Sequence, residues 1–240
     1  MATRRAASII LYRHQQGRME VFLTQRSQTV QSFPGFWVFP GGKQDPADEL
    51  VAKTLPTRTF DAGFIEQEAF QAAMAPEFHQ MMGKQPLLER HEPFSVEDWT
   101  ALAVTAIREL WEETGMALTA PRLNGIDARR LQHRLLAQTD QLPTLMEQEG
   151  FIPDISQLEV AGRITTPDLG PRTRRFDTAF FLVPWDIEVG PMALSQEVAV
   201  GEWFTPDEAL TRYAPAQLAI PTQYILRMIH QRWKSSITGG

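Results

Sequence analysis

The chain opens with two short runs rich in apolar and β-branched residues, at 8–12 and 21–24, split by the polar stretch Gln15-Gln16-Gly17. That spacing predicts a β-hairpin. Residues 37–39 read as a short strand leading into Gly41-Gly42, taken as a tight turn, and residues 160–165, 177–183 and 201–204 read as three further strands. Helical periodicity takes over elsewhere. Ser95, with Asp98 three positions on, has the form of a capping box, and the helix that follows places Ala103, Ala106, Ile107 and Leu110 on one stripe. Residues 127–150 read as helical, with Arg129, Arg130 and Arg134 on a polar face. Thr205-Pro206-Asp207-Glu208 opens another helix with cap and proline in their favoured places. A last helix runs from Pro221 to about Trp233. Between these elements, Phe60, Phe64, Phe70, Met74, Phe78 and Met81 fall in one helical sector and predict an amphipathic helix over 60–82.

The helix after Ser95 carries an anomaly. Glu109, Glu112 and Glu113 place three carboxylates within five residues, on an arc of about 100° at 3.6 residues per turn. Like charges at this spacing destabilise a helix by a few tenths of a kcal/mol each. A hard divalent cation bound by carboxylate oxygens would reverse that sign. The alternative is a solvated polar face, closed by Gly115 as a C-cap.

Composition narrows the chemistry. The 240 residues are 43% hydrophobic and 22% charged, enough for one sizeable core, and nothing reads as a linker between domains. There is no cysteine, which excludes disulfides, thiolate metal sites and cysteine nucleophiles. Histidines 14, 79, 91, 133 and 230 show no paired zinc spacing. A net charge of −6 disfavours nucleic-acid binding through a broad basic face. No run approaches the roughly 18 apolar residues of a membrane span. The N-terminal apolar run is too short and too soon charged for a signal peptide, and Ile237-Thr238-Gly239-Gly240 is not a peroxisomal address. A cytoplasmic location is the expectation.

Gly42, then five residues, then Asp48, and later Arg108-Glu109-Leu110-Trp111-Glu112-Glu113-Thr114-Gly115-Met116 resemble the Nudix box cut in two. Two departures stand out. Asp48 takes the place of a glutamate, so no pairing with Arg108 is assigned to it. The second departure is an insertion of 52 residues between Asp48 and the arginine. The split box is similar to the Nudix branch that contains the peroxisomal coenzyme A diphosphatases. Leu23-Thr24-Gln25-Arg26-Ser27, Gly35 and Phe39-Pro40-Gly41-Gly42 further resemble the signature of coenzyme A-cleaving members, except that Gln28 and Gln31 stand where it has a small and a basic residue. Thr166-Pro167 and Arg175-Phe176-Asp177-Thr178 also look like the split-box branch.

This resemblance implies a single Nudix domain over 1–240, an α/β/α sandwich with a mixed sheet and a helical insertion at about 49–100. It implies a metal-dependent hydrolase of a nucleoside diphosphate derivative, coenzyme A or acyl-coenzyme A first. Other nucleoside diphosphate-linked moieties (ADP-ribose, NADH, a nucleotide sugar) or a non-catalytic ligand-binding regulator are the alternatives. Glu109, Glu112, Glu113 and the Gly41 carbonyl would hold Mg²⁺ or Mn²⁺, with Arg108 keeping the carboxylates in register. Glu197, six residues before Trp203, would be a further ligand or accept the proton of the attacking water, with Glu202 as its rival. A diphosphate needs cations, for which Arg26, Lys43, Arg172, Arg174 and Arg175 are the candidates. The insertion stripe is expected to pack on the core, to form a dimer interface or to wall the acyl or pantetheine end of the cleft. Ile225, Met228, Ile229 and Trp233, read as exposed, suggest a homodimer.

Overall fold

Strands β1 (Arg4–Gln15) and β2 (Arg18–Arg26) pair antiparallel from Tyr12↔Val21 to Gln15↔Arg18. Gln16 and Gly17 link them with φ of 52° and 73°, the signs a two-residue type I′ turn needs to match strand twist. The computed structural model describes residues 3–62, 92–138, 141–165, 175–186, 194–214 and 216–238. Within them β1 is the axis of the sheet. It runs parallel to β8 (Phe176–Pro184) and antiparallel to both β2 and β4 (Gly41–Lys43). Strand β7 (Glu159–Thr165) extends the sheet beyond β8, while β3 (Trp37–Val38) and β9 (Val198–Phe204) pair with β2. A second, two-stranded sheet joins β5 (Thr119–Ala120) to β6 (Ile152–Pro153).

Side chains alternate across a strand, and here both faces are covered. Ile9 and Leu11 point into one cluster with Phe22, Phe181 and residues Leu102, Ile107, Leu110 and Trp111 of α2 (Val96–Thr114). Ile10, Val21 and Leu23 point into another, closed by Ala209 of α5 (Pro206–Tyr213) and by Leu226 of α6 (Ile220–Thr238). Burial on both sides explains why β1 reads as a continuous apolar run. The expected α/β/α sandwich with a mixed sheet is what forms.

Several expectations need correction. Gly41-Gly42 is not a turn but part of β4, in register with Ser8 and Ala7. Residues 127–150 are two helices, α3 (Gly125–Ala137) and α4 (Leu142–Glu149), because Gln138 is extended and Pro143 begins a new helix. Their predicted polar face is where Arg130 and Arg134 pair with Glu149. The apolar residues of α6 are not exposed. Ile225 and Ile229 are buried in the second cluster, Met228 and Trp233 pack against it, and Trp233 stacks on His14 at 4.5 Å between centroids. The sheet itself needs that stripe, so it no longer argues for a dimer.

A short helix went unpredicted: α1 (Pro46–Ala52), with Asp45 and Asp48 forming a capping box and a proline in its first turn. Within the expected helical insertion, the described helix is confined to the end of α1 and the start of α2, and residues 53–62 are non-helical. Phe60 turns inward onto Trp99 and Phe181, at 6.4 and 5.5 Å between centroids. Phe64, Phe70, Met74, Phe78 and Met81 lie outside the described residues, as do Arg172, Arg174 and Thr166-Pro167.

Candidate active site

Ser95 caps α2 by accepting from the Asp98 N–H, and Gly115 ends it in a left-handed conformation at φ 75°. Between these caps the helix is covered nearly all round, so Glu112 and Glu113 are buried and Glu109 keeps only 15% of its side-chain exposure. That removes the solvated-face alternative. Burial of several carboxylates is costly unless charge or hydrogen bonds compensate.

Arg108 supplies much of that compensation. Its Nε and Nη2 donate to the two oxygens of Asp48 at 2.8 and 3.0 Å. Nη1 reaches Glu112 Oε2 at 2.9 Å and Glu109 Oε1 at 3.0 Å, and Nη2 also donates to the Lys43 carbonyl at 3.0 Å. The guanidinium is thereby pinned among three carboxylates, which hold its proton more tightly than usual. Asp48 is fully buried and additionally accepts from the Thr105 hydroxyl at 2.8 Å and the Asp45 N–H at 2.9 Å. The shorter acid therefore does pair with Arg108. The N-terminal turn of α1 brings it close enough to replace the missing methylene.

Gly42 leaves room for the Glu109 carboxylate, and Gly41 for the close approach of β1. A β-carbon at Gly42 would lie 2.5 Å from the Glu109 carboxylate, and one at Gly41 would lie 2.4 Å from the Ala7 carbonyl oxygen. The Gly41 N–H donates to Glu113 Oε2 at 3.2 Å. On the far side, Arg26 Nη1 lies 3.6 Å from Glu113 Oε1, and its Nη2 lies 3.3 Å from Glu197 Oε2. The Ser195 N–H donates to the Glu113 carbonyl at 2.9 Å and the Ser27 N–H to the Glu197 carbonyl at 2.7 Å. Backbone contacts from α2 and β2 thus bring Glu197 to the helix carboxylates, although its side chain is 63% exposed.

These groups line a cleft of about 500 Å³. Arg26, Lys43, Arg108, Glu109, Glu112 and Glu197 are among its charged lining residues, while Phe33, Phe39, Phe176, Phe180 and Pro221 give it apolar walls. Of the remaining expected residues, Glu202 is exposed on β9 and does not line the cleft. Arg175 stands just before β8, and its carbonyl accepts from the Arg4 N–H at 3.0 Å. Sequence reasoning missed the support given by Thr105 and the double engagement of Arg26. The Asp45-Pro46 cap signal could have found the placement of Asp48.

The acidic groups fit a hard cation. Burial raises all three glutamates above the ordinary range: Glu112 to about 7, with Glu109 and Asp48 adding repulsion against Arg108, and Glu113 well above 4.5, with Glu109 adding to burial against Arg26. For Glu109 burial outweighs Arg108, and Asp48 and Glu197 push the same way. Glu112 Oε1 is buried with no hydrogen-bond partner. Among the described residues no three His, Asp or Glu side chains form a finished cation cage; several of their oxygens are turned toward Arg108 and Arg26. An orphaned oxygen and a set of glutamates whose buried charge lacks full compensation are what an all-oxygen site for Mg²⁺ or Mn²⁺ would use.

A sandwich that sets a helix of buried glutamates against a glycine strand defines a Nudix domain. The NUDT19 Nudix domain profile matches residues 3–229, and the chain belongs to that family. It is 25% identical over 225 residues to the acyl-coenzyme A diphosphatase NUDT19 of Xenopus laevis, spanning 84% of this chain and 57% of that protein. With the Gallus gallus protein of the same name it shares 28% over 258 residues, spanning 92% and 66%. The chain therefore covers less than two thirds of the length of these relatives. The crystal structure of a NUDIX hydrolase from Alicyclobacillus acidocaldarius matches with a TM-score of 0.71 at 27% identity, covering 95% of this chain and 90% of the other. Among the described residues no helix is long and apolar enough to cross a membrane.

Proposed function

We propose that this protein is a metal-dependent diphosphatase acting on coenzyme A or acyl-coenzyme A. The observation that carries the reading is the glutamate cluster of α2, one member with an orphaned oxygen, of which Glu109 and Glu112 open into a cleft that also holds Arg26, Lys43 and apolar walls. The names of the NUDT19 relatives support the substrate class.

A phosphoanhydride is kinetically protected by its negative charge, so hydrolysis requires charge neutralisation and a water delivered in line. Glu109, Glu112 and Glu113, with the Gly41 carbonyl, would hold Mg²⁺ or Mn²⁺. When bound, such ions neutralise phosphate oxygens and lower the pKa of water. Arg108 holds Glu109 and Glu112 in register from behind. Glu197, exposed and lining the cleft, would accept the proton of the attacking water or join the metal ligands. Arg26 and Lys43 face the cleft where substrate phosphates would enter.

One observation favours a different substrate. Next to the cleft lies a pocket of about 460 Å³ lined by Arg26, Thr29, Val30, Gln31, Ser32, Gln196 and Glu197. Among the described residues Arg26 is its sole cation, and Glu113 and Glu197 already engage it. A nucleoside diphosphate derivative without a further phosphate would suit it better.

Product analysis by mass, using coenzyme A, acetyl-coenzyme A, ADP-ribose and NADH with Mg²⁺, Mn²⁺ or EDTA, tests the reading. Cleavage of the coenzyme A members to 3′,5′-ADP supports it. Preference for ADP-ribose or NADH moves the assignment to the second substrate class, and no metal-dependent cleavage overturns both. In the same assay Glu113→Gln is expected to lower turnover at least about 100-fold. Its metal-free melting temperature should stay nearly unchanged, because the amide keeps the side chain's size and its oxygen can still accept from the Gly41 N–H. A near-normal rate would remove the assigned role.

A further inference from the structure

We infer that Phe33 is a stacking platform for the base of the nucleotide substrate, an assignment that rests on the diphosphatase reading above. Among the described residues that line the cleft, Phe33 alone is both a large apolar side chain, left 46% exposed, and a non-glycine residue with positive φ, at 51°. Either feature alone is common enough. Together they mark an aromatic ring held toward water by a backbone that a bulky side chain rarely adopts. Conformations of this kind persist where surrounding contacts enforce them, and they concentrate at ligand clamps.

The enforcing contacts are visible. Phe33 begins the turn Phe33-Pro34-Gly35-Phe36, closed by the Phe36 N–H donating to the Phe33 carbonyl at 3.1 Å. Proline at the second position and Gly35 at φ 76° at the third suit a type II turn. Arg26 N–H to the Phe36 carbonyl at 2.9 Å, Gly35 N–H to the Arg26 carbonyl at 3.1 Å and Gln25 Nε2 to the Gly35 carbonyl at 3.1 Å fasten that turn to the end of β2. Phe36 then meets the Phe33 ring at 5.9 Å and 63°, edge to face, which leaves much of the Phe33 ring open.

The platform is also wired to the phosphate end of the cleft. Arg26 Nε donates to the Ser32 carbonyl at 2.9 Å, immediately before Phe33, while the same guanidinium reaches Glu113 and Glu197. A ligand whose diphosphate sits at the glutamates and Arg26 would have its attached nucleoside within the same cleft as this ring. A flat π-surface beside polar groups favours a nucleobase, which stacks through its face whatever its edge pattern. An acyl or pantetheine chain would gain little from a flat ring and has Phe39, Phe176 and Phe180 as deeper apolar walls.

The test uses the full chain and two readouts: steady-state kinetics on the best diphosphate substrate, and calorimetric binding of ADP and of phosphopantetheine with Mg²⁺ present. Phe33→Ala is expected to raise KM and the ADP Kd about tenfold, with kcat within about twofold and phosphopantetheine binding unchanged. Phe33→Tyr should restore both constants. Phe33→Gly, which relieves the positive φ, should lose affinity as alanine does while melting no lower than Phe33→Ala. Unchanged ADP affinity in Phe33→Ala, or lost phosphopantetheine affinity instead, overturns the assignment even if the wild-type enzyme cleaves. Absence of cleavage by the wild-type protein would fault the diphosphatase reading, whereas the ADP titration judges Phe33 independently.

Discussion

Asp48 shows how little a one-methylene departure says until the backbone around it is known. It is fully buried and makes a two-point contact with Arg108, at 2.8 and 3.0 Å. Removing one partner of such a pair leaves an uncompensated buried charge, so Asp48→Ala should destabilise the fold by about 3–5 kcal/mol, measured by urea unfolding. Asp48→Glu, though closer to the family pattern, should also cost stability, because the added methylene has no room between Thr105 and the α1 turn. A neutral or stabilising effect of that change would show the site to be looser than the hydrogen bonds indicate. Most of the site was legible at this scale, because Arg108, Glu109, Glu112, Glu113 and Glu197 do converge as their spacing and resemblance implied. Arg26 was legible only as a cation. Its contacts with Glu113 and Glu197 depend on β2 and the residue 195–197 segment meeting, a juxtaposition separated by 171 residues.

Elements were readable in proportion to how strongly they carried their own period or cap. The β1–β2 hairpin, the Ser95 and Thr205 capping boxes and the Gly115 C-cap all form as their residues suggest. Strand β4 was not readable, since Gly-Gly-Lys has neither alternation nor β-branched residues and is extended only because β1 offers it a partner. That strand carries a prediction of its own. In Gly42→Ala the new methyl would meet the Glu109 carboxylate at 2.5 Å, and Glu109 must move. Mn²⁺ affinity, titrated by calorimetry, should fall by about 10 to 100-fold, in line with the loss of other groups that orient metal ligands. Circular dichroism should remain that of the wild type. Likewise the stripe on α6 looked exposed because a helix read alone cannot reveal that a sheet face waits for it.

The whole molecule carries the charge imbalance of its cleft. In the fold Glu112 titrates near 7 against 4.5 for the free side chain, so the folded state favours its neutral form. The stability it contributes is complete below pH 4.5 and drains away as pH rises through about 7. Metal-free protein should therefore melt at progressively lower temperature between pH 5 and about 8, and differential scanning calorimetry with EDTA reads this directly. Saturating Mg²⁺ should flatten the slope or reverse it, because a bound cation favours the ionised carboxylates. A metal-independent profile would argue against cation binding at these glutamates.

Phe60 on the outgoing side and Phe94 on the returning side both touch Trp99, at 6.4 and 5.2 Å between ring centroids. Arg163 covers Phe94 at 3.5 Å. The long excursion between Asp48 and Arg108 is thus drawn shut at its neck, like a purse string. Halving a closed loop changes its closure cost by only about 0.6 kcal/mol, so the length of chain joined at that neck is by itself a minor term. Joining Phe60 to Phe94 by a shorter or foreign sequence should therefore leave the neck contacts in place, with the far-ultraviolet circular dichroism of the wild type as the check. Any larger stability change on doing so would be a direct measure of what the exchanged segment itself contributes.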